Sequence, residues 1–318
     1  MKKKLAVVLF NLGGPNAPED IRPFLKNLFS DKAIIELPAI FRMPLAYLIS
    51  TTRAPKAKPL YDLMGGFSPL LKNTKQQSEA ILNSLTKKLE NYEIKTIISM
   101  RYWNPLSKEA ATELVEFNPD EVVLLPLYPH YSKTTTGSSV KEFQKYYKGK
   151  ARLVREYPVL DGFVKANVKS IMAEYEKLGK PERVRILFSA HGLPQKVIDS
   201  GDVYEKQIKQ SAAAITNELP SNFETVVCFQ SKVGPLKWLE PSTPNEVKRA
   251  GKDNIAIIIC PIAFVSDHIE TLVELDVEYK ELAHELKVPQ FGRASVVGCD
   301  EDFIDGLTDL VIEHLEKS

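Results

Sequence analysis

The fold of this chain is indicated first by one stretch, Val184-Arg185-Ile186-Leu187-Phe188-Ser189-Ala190-His191-Gly192-Leu193-Pro194. Its apolar beginning is typical of a strand that is buried on both faces of a parallel sheet. The imidazole of His191 follows in a turn that glycine and proline make stiff. Functional groups of open parallel sheets lie just beyond the carboxyl ends of the strands. The stretch therefore predicts a buried strand that leads to a functional histidine, and an ordinary loop histidine is the alternative.

A second stretch of the same kind lies further along the chain. The apolar run Ile255-Ala256-Ile257-Ile258-Ile259 precedes Asp267-His268-Ile269-Glu270-Thr271-Leu272-Val273-Glu274. In an α-helix starting near Asp267, at about 100° per residue, the carboxylates of Glu270, Glu274, Glu278 and Glu281 lie within about 60° of it. Such a row offers oxygen ligands to a hard divalent cation. A capping box of Asp267 and Glu270 with a solvated outer face is the alternative.

Short apolar runs alternate with helical patterns along the whole chain. The predicted strands are 5–10, 95–99, 121–127 and 151–155 in the first half, and 185–189, 225–229, 254–260 and 294–297 in the second. The predicted helices include 75–89, 108–116, 140–147, 165–178, 203–217, 266–286 and 303–315. This alternation is typical of an α/β fold whose parallel sheets are covered by helices on both faces.

The two halves resemble each other. Residues 8–15 are similar to 186–194, and residues 124–129 are similar to 258–263. We therefore expect two similar doubly wound domains, each with a four-stranded parallel sheet, whose strand ends face a shared cleft. The expected domains are 1–157 and 158–302, and 303–318 is expected to be a terminal helix that packs on the first domain.

Composition narrows the class of protein. The chain has 42 basic and 41 acidic residues among 318, so nothing indicates a nucleic-acid partner. No run approaches the ~20 apolar residues of a membrane-spanning helix, and a cytoplasmic protein is expected. The three cysteines are far apart, which argues against a disulfide framework or a structural zinc site. The chain also lacks a GxxxxGK[ST] or GxGxxG motif, so nucleotide chemistry is not expected.

Several motifs, in order along nearly the whole chain, are similar to those of one enzyme family. They are Asn11-Leu12-Gly13-Gly14-Pro15, Gly65-Gly66-Phe67-Ser68-Pro69, Met100-Arg101-Tyr102, Thr135-Thr136-Gly137-Ser138-Ser139, Ser189–Pro194, Gln230-Ser231-Lys232-Val233-Gly234-Pro235 and 261–272. The chain resembles the ferrochelatases. This resemblance implies two Rossmann-like, chelatase-type domains around a porphyrin cleft. It also implies that ferrous iron enters protoporphyrin IX without ATP, with release of two protons, as the final step of haem biosynthesis.

The resemblance also implies roles for individual residues. His191 matches a pyrrole proton acceptor or metal ligand, and Glu270 matches the carboxylate that faces it. Asp267, His268 and Glu274 match a supporting shell or metal path. The positions that match porphyrin contacts are Leu12, Arg53, Tyr61, Ser68, Arg101, Tyr128 and Trp238. For Tyr61 and Trp238, a plain core position is the alternative.

An unusually apolar segment bears on the substrate. Residues 37–53, and 37–49 above all, match the lip that family members using protoporphyrin IX carry, whereas relatives using coproporphyrin III have a shorter segment. An apolar lip also suits peripheral contact with the inner face of a membrane through residues 37–50. We therefore expect protoporphyrin IX as substrate, with coproporphyrin III and an ordinary buried helix as the alternatives.

No resident cofactor is expected, because ferrous iron would be a substrate of the reaction. Family members with a [2Fe–2S] cluster carry a cysteine-rich extension and a further cysteine where this chain has Lys133, so no cluster is expected. A chelatase for another metal and a non-catalytic haem or porphyrin carrier are the remaining alternatives. A carrier would not need both His191 and Glu270, so their joint presence favours the enzyme. The sequence leaves the oligomeric state open.

Overall fold

The computed structural model of the protein describes residues 2–316. The chain forms two compact units. The first holds the described residues up to Glu156 and those from Leu307 onward, and the second is Tyr157–Gly306. Among the described residues, no helix is both long and apolar enough to cross a membrane.

The first unit is built on a parallel sheet of four strands in the order β2-β1-β3-β4. Its elements are β1 (Lys3–Asn11), α1 (Ile21–Phe29), α2 (Ala39–Asp62), α3 (Leu70–Lys88), β2 (Tyr92–Met100), α4 (Ser107–Phe117), β3 (Glu121–Pro126), α5 (Thr136–Phe143) and β4 (Arg152–Leu153). The central strand β1 is fully buried from Leu5 to Phe10. On one face, Phe10 packs against Phe143 with 5.4 Å between ring centroids.

The second unit repeats this plan with a parallel sheet in the order β6-β5-β7-β8. Its elements are α6 (Asp161–Lys177), β5 (Val184–His191), α7 (Gln195–Asp199), α8 (Tyr204–Glu218), β6 (Glu224–Gln230), α9 (Thr243–Asp253), β7 (Ala256–Cys260), a π-helix (Glu270–Tyr279), α10 (Lys280–Glu285) and β8 (Phe291–Arg293). Helix α11 (Glu301–Glu316) begins in this unit and continues into the first. The predicted fold class, two parallel sheets flanked by helices, is confirmed.

Several predicted elements differ in their bounds, among them the helix predicted at 140–147, which is Thr136–Phe143, and two elements of the second unit. The last strand is Phe291–Arg293 rather than 294–297. A Cβ added at Gly292 would lie 2.7 Å from the Glu174 side chain, so the strand needs a glycine that weakens its sequence pattern. The helix predicted over 266–286 begins at Glu270 and is a π-helix as far as Tyr279. Such helices are rare and often mark functional sites.

Candidate active site

The second sheet places the predicted site at the carboxyl ends of its strands. His191 is the last residue of β5, not a loop residue as expected, and it pairs in register with Gln230 at the end of β6. The backbone N–H of Gly192 donates to the Gln230 carbonyl at 2.8 Å. Strand pairing therefore sets the position of His191 before any side-chain contact is made.

The His191 ring is oriented by its own turn. Its Nδ1 lies 2.6 Å from the carbonyl oxygen of Gly192. Because a carbonyl only accepts hydrogen bonds, Nδ1 carries a proton, and in the neutral ring the lone pair is on Nε2. The ring is about one-third exposed and lies beside Trp238, with 6.5 Å between centroids. Nε2 is therefore the atom available as a base or metal ligand.

Glu270, the first residue of the π-helix, lies between two imidazoles. Its Oε1 is 3.4 Å from His191 Nε2, and its Oε2 is 2.9 Å from His268 Nε2. Burial opposes ionisation of this carboxyl, but the charges of His191 and His268 and the hydrogen bond from His268 outweigh it. Together they lower the pKa of Glu270 to about 2. The carboxylate is therefore ionised throughout the neutral range.

His268 supports Glu270 from a buried position. Its ring packs against Phe264 with 4.5 Å between centroids, and its backbone N–H donates to Thr271 Oγ1 at 3.0 Å. Its Nδ1 is buried without a hydrogen-bond partner among the described residues. The only side-chain hydrogen bond of the ring among the described residues is therefore the one that Nε2 donates to Glu270. His268 thus acts on the site through Glu270.

Glu274 is held by three residues. Its carboxylate accepts from Gln230 Nε2 at 3.0 Å, from the Ser231 backbone N–H at 2.8 Å and from the Tyr279 hydroxyl at 2.6 Å. The Ser231 hydroxyl donates to it as well. These donors commit both carboxylate oxygens. Glu274 therefore ties the π-helix to the end of β6, in keeping with the supporting role predicted for it.

Asp267 is tied to the sheet by an arginine. Its Oδ1 accepts from Thr271 Oγ1 at 2.8 Å and pairs with Arg293 at 3.2 Å. Arg293 also makes two hydrogen bonds to Asp276, at 2.6 and 2.8 Å. The capping-box alternative is not observed, because the Glu270 side chain faces the two histidines. Among the described residues no group of three or more His, Cys, Asp and Glu is arranged to hold a metal.

The acidic row predicted on this helix presumed an α-helix from Asp267, whereas Asp267 precedes the π-helix that begins at Glu270. Burial raises the pKa of Glu278, and the charges of Glu274 and Glu281 raise it further. Glu278 therefore lies close enough to Glu274 and Glu281 to feel their charges.

Two residues that sequence reasoning did not assign hold the pair together. Gln230 is almost fully buried, and its Nε2 donates to the Glu270 carbonyl at 2.9 Å as well as to Glu274. The Tyr204 hydroxyl donates to the His191 carbonyl at 3.1 Å. In the sequence, Gln230 and Ser231 are part of a motif that supports the family resemblance, and no role was assigned to either of them. The position of this motif next to His191 in the sheet is the signal that reveals its role.

The remaining predicted residues lie in the first unit. Leu12 follows β1, and its carbonyl accepts from the Tyr102 N–H at 2.9 Å, which brings it beside Arg101 at the end of β2. The buried Ser68 N–H donates to the Pro15 carbonyl at 2.8 Å. Tyr128 follows β3, and burial raises its pKa. Leu12, Ser68, Arg101 and Tyr128 therefore gather near the carboxyl ends of this sheet.

Arg53 and Tyr61 are carried by α2. Arg53 is exposed and lies over the Phe29 ring at 5.5 Å, whereas Tyr61 is buried. The same helix exposes large apolar side chains, among them Ile40 (76%), Phe41 (64%) and Leu48 (60%). The segment is therefore not the ordinary buried helix that was the alternative to a lip.

Solved structures show the same fold. One is SirB from Bacillus subtilis with Fe3+. The match covers 98% of this chain and 95% of the SirB chain, at 13% identity and a TM-score of 0.53. CbiX, described as the terminal enzyme for biosynthesis of sirohaem in denitrifying bacteria, matches 98% and 99% at 12% identity and a TM-score of 0.53. The architecture is therefore of the chelatase type.

Sequence comparison is more specific. The model of the ferrochelatase family matches residues 4–315. A ferrochelatase of Caulobacter vibrioides is 52% identical, and the match covers 100% of this chain and 92% of the relative. A ferrochelatase of Phenylobacterium zucineum is 54% identical, and the match covers 99% of this chain and 92% of the relative. One of Rickettsia bellii is 46% identical over 99% and 88%. The chain belongs to the ferrochelatase family, whose enzymes insert iron into a porphyrin for haem synthesis.

Proposed function

We propose that the protein inserts ferrous iron into protoporphyrin IX, forming protohaem and releasing two protons without ATP. The observation that carries the proposal is the His191–Glu270 pair at the strand ends of the second sheet. One member is a base with a defined lone pair, and the other is a carboxylate held in its charged form. Metal insertion needs both functions, because two pyrrole protons leave as the divalent cation enters.

The geometry supports an order of proton transfer. We propose that Nε2 of neutral His191 accepts a pyrrole proton while the Gly192 carbonyl keeps the proton on Nδ1. The imidazolium that forms faces the Glu270 carboxylate, which stabilises the positive charge. Because the ring is partly exposed, His191 passes the proton to solvent and is ready for the second. Asp267, His268 and Glu274 keep the pair in place, and we propose that the acidic row guides the cation toward it.

For the porphyrin we propose contacts with the residues that the resemblance assigned, namely Leu12, Arg53, Tyr61, Ser68, Arg101, Tyr128 and Trp238. An enzyme that bends the ring on binding exposes its nitrogen lone pairs, and remote contacts supply the strain. Iron is the substrate, and we propose no resident cofactor and no [2Fe–2S] cluster.

The exposed apolar side of α2 supports protoporphyrin IX over coproporphyrin III. Protoporphyrin carries vinyl groups at positions where coproporphyrin carries charged propionates, and Ile40, Phe41 and Leu48 suit the less polar ring. We propose that the protein acts in the cytoplasm, and the same side chains support peripheral contact with the inner face of a membrane.

The test is anaerobic metal insertion by the purified protein, with ferrous iron and either porphyrin. We expect protohaem from protoporphyrin IX at a higher kcat/KM than the product from coproporphyrin III. His191→Ala should lower kcat at least about 100-fold, while His284→Ala, an exposed histidine of α10, should not. A preference for coproporphyrin III would refute protoporphyrin IX as the substrate. Tight porphyrin binding without iron insertion would indicate a carrier.

A further inference from the structure

A buried ion pair in the first unit connects the α1–α2 hairpin to the sheet. Asp31 lies just after α1, and its Oδ2 is 2.8 Å from Arg101 Nη2 at the end of β2. The two side chains are only 9% and 13% exposed. Neither the resemblance nor the comparisons assign a role to Asp31.

Four hydrogen bonds complete this cluster. The Tyr102 hydroxyl donates to Asp31 Oδ2 at 2.8 Å, and the Ala33 N–H donates to Oδ1 at 2.9 Å. Ser138 of α5 accepts from Arg101 Nε at 2.7 Å and donates to Asp31. Burial favours the neutral form of Asp31, but these hydrogen bonds and the Arg101 charge lower its pKa overall. The carboxylate is therefore a fixed negative charge.

The cluster also holds the hairpin that carries the exposed apolar side chains. Asn27 of α1 donates to the Tyr102 carbonyl at 3.0 Å. On the other side of the connection, Arg42 of α2 donates from Nε to the Ser30 carbonyl at 2.9 Å. The start of α2 is thus tied to the residue next to Asp31, and Asp31 is tied to the sheet. These contacts connect the neighbourhood of Asp31 to the helix that carries Ile40, Phe41 and Leu48.

Arg101 already faces two carboxylates. Its Nε and Nη2 are used by Ser138 and Asp31, its charge is neutralised, and its guanidinium carbon lies 4.7 Å from the centre of the Tyr102 ring. A second carboxylate, Glu142, lies 3.7 Å from Nη2. A porphyrin propionate that bound Arg101 would be a further anion beside Asp31 and Glu142, whose negative charges oppose it.

We infer that Asp31 and Arg101 form a clamp that positions the α1–α2 hairpin for the porphyrin, and that Arg101 is a positioning residue rather than a propionate ligand. This inference rests on the proposed function and revises the part of it that concerns Arg101. Asp31 is thereby proposed as a further residue that positions the porphyrin-binding segment.

The test separates the two roles of Arg101 by the charge of the porphyrin. Asp31→Asn, Arg101→Gln and the double variant are assayed with protoporphyrin IX and with its dimethyl ester, whose propionates are uncharged. Binding is followed by porphyrin fluorescence anisotropy, and KM and kcat by iron insertion. For the clamp we expect each single variant to raise KM and Kd about tenfold, with kcat within about twofold and the acid-to-ester ratio unchanged. The double variant should bind porphyrin no more weakly than whichever single variant has the higher Kd, because all three variants remove the same interaction.

Two results would overturn the clamp. One is loss of the acid-over-ester preference in Arg101→Gln together with tighter acid binding by Asp31→Asn, which identifies a propionate ligand. The other is an unchanged Kd in a folded Asp31→Asn. If the charge variants do not fold, Tyr102→Phe removes one hydrogen bond and keeps the ion pair. It should raise Kd about two- to threefold, and an unchanged Kd would again refute the clamp.

A control separates positioning from general destabilisation. Arg185→Gln breaks another ion pair, in which a buried guanidinium contacts the exposed carboxylates of Glu224 at 2.6 Å and Asp253 at 2.7 Å in the second unit. It should lower Tm while leaving the porphyrin Kd unchanged. Because binding is measured without iron, failure of the clamp is distinguishable from failure of the proposed reaction, which would appear as absent insertion by the unaltered protein.

Discussion

His191 Nε2 lies 3.4 Å from Glu270 Oε1, an ion-pair distance longer than an ordinary hydrogen bond. Each side chain is held from its far side, His191 by the Gly192 carbonyl and Glu270 by His268. Ligand bonds of about 2.1 Å, typical of first-row divalent ions, would meet at an angle of about 110° across this gap. This spacing underlies our proposal that the pair stabilises an imidazolium and shares a cation.

The charge of Glu270 is expected to matter more for turnover than for porphyrin binding. Glu270→Gln keeps the shape of the side chain and removes the charge that faces His191. We expect kcat to fall about 100-fold, with the porphyrin KM within about threefold. Steady-state kinetics with ferrous iron check this. Weaker porphyrin binding with an unchanged kcat would move Glu270 out of the catalytic pair.

The low pKa of Glu270 predicts a pH dependence of stability. A carboxyl whose pKa is about 2 when folded, against an ordinary value of 4.5, stabilises the fold by its ionised form. The contribution, up to about 3 kcal/mol, is complete above about pH 4.5 and is lost as the pH falls toward 2.

Denaturant unfolding of the unaltered protein and of Glu270→Gln at several pH values measures this contribution. The difference in unfolding free energy should shrink as the pH falls from about 4.5 toward 2. A difference that grew on acidification would contradict the assignment, since it would require a raised pKa.

Gln230 is expected to set the separation of His191 and Glu270. Gln230→Met keeps the length of the side chain but removes the hydrogen bonds to the Glu270 carbonyl and to Glu274. We expect kcat to fall about tenfold, because small displacements of reacting groups are costly. Gln207→Met, at a buried glutamine of α8, is the matched control and should lower Tm without this loss. Equal kcat values for both variants would show that Gln230 only fills space.

The exposed side of α2 is expected to govern both substrate choice and membrane contact. Phe41→Ser with Leu48→Ser removes two large apolar side chains from this surface. We expect weaker binding to anionic lipid vesicles and a several-fold higher KM for protoporphyrin IX, with a smaller change for coproporphyrin III. Vesicle co-sedimentation and kinetics with both porphyrins measure these effects. Val115→Ser, at an exposed valine of α4, should change neither, and if it did the effect would not be specific to α2.

Much of the fold and part of the site follow from local pattern. The buried strand β1 and the run that leads to His191 are apolar over most of their length, and the similarity of the two halves predicts the repeated sheet. Strand 291–293 was misplaced because Gly292, required by the close approach of Glu174, interrupts the pattern. The acidic row stays a prediction, because residues three and four apart share one side of an α-helix but drift around a π-helix.

The sequence by itself determined the fold class, the family and the chemical nature of the site, because periodicity and motif order are local properties of the chain. Only the tertiary structure decided how Glu274 is used and which partners hold Gln230 and Arg101. Gln230 meets Glu270 across 40 positions of sequence, and Asp31 meets Tyr102 across 71. Such contacts depend on the register and order of strands, which bring distant residues to one sheet edge, and no local pattern encodes that distance.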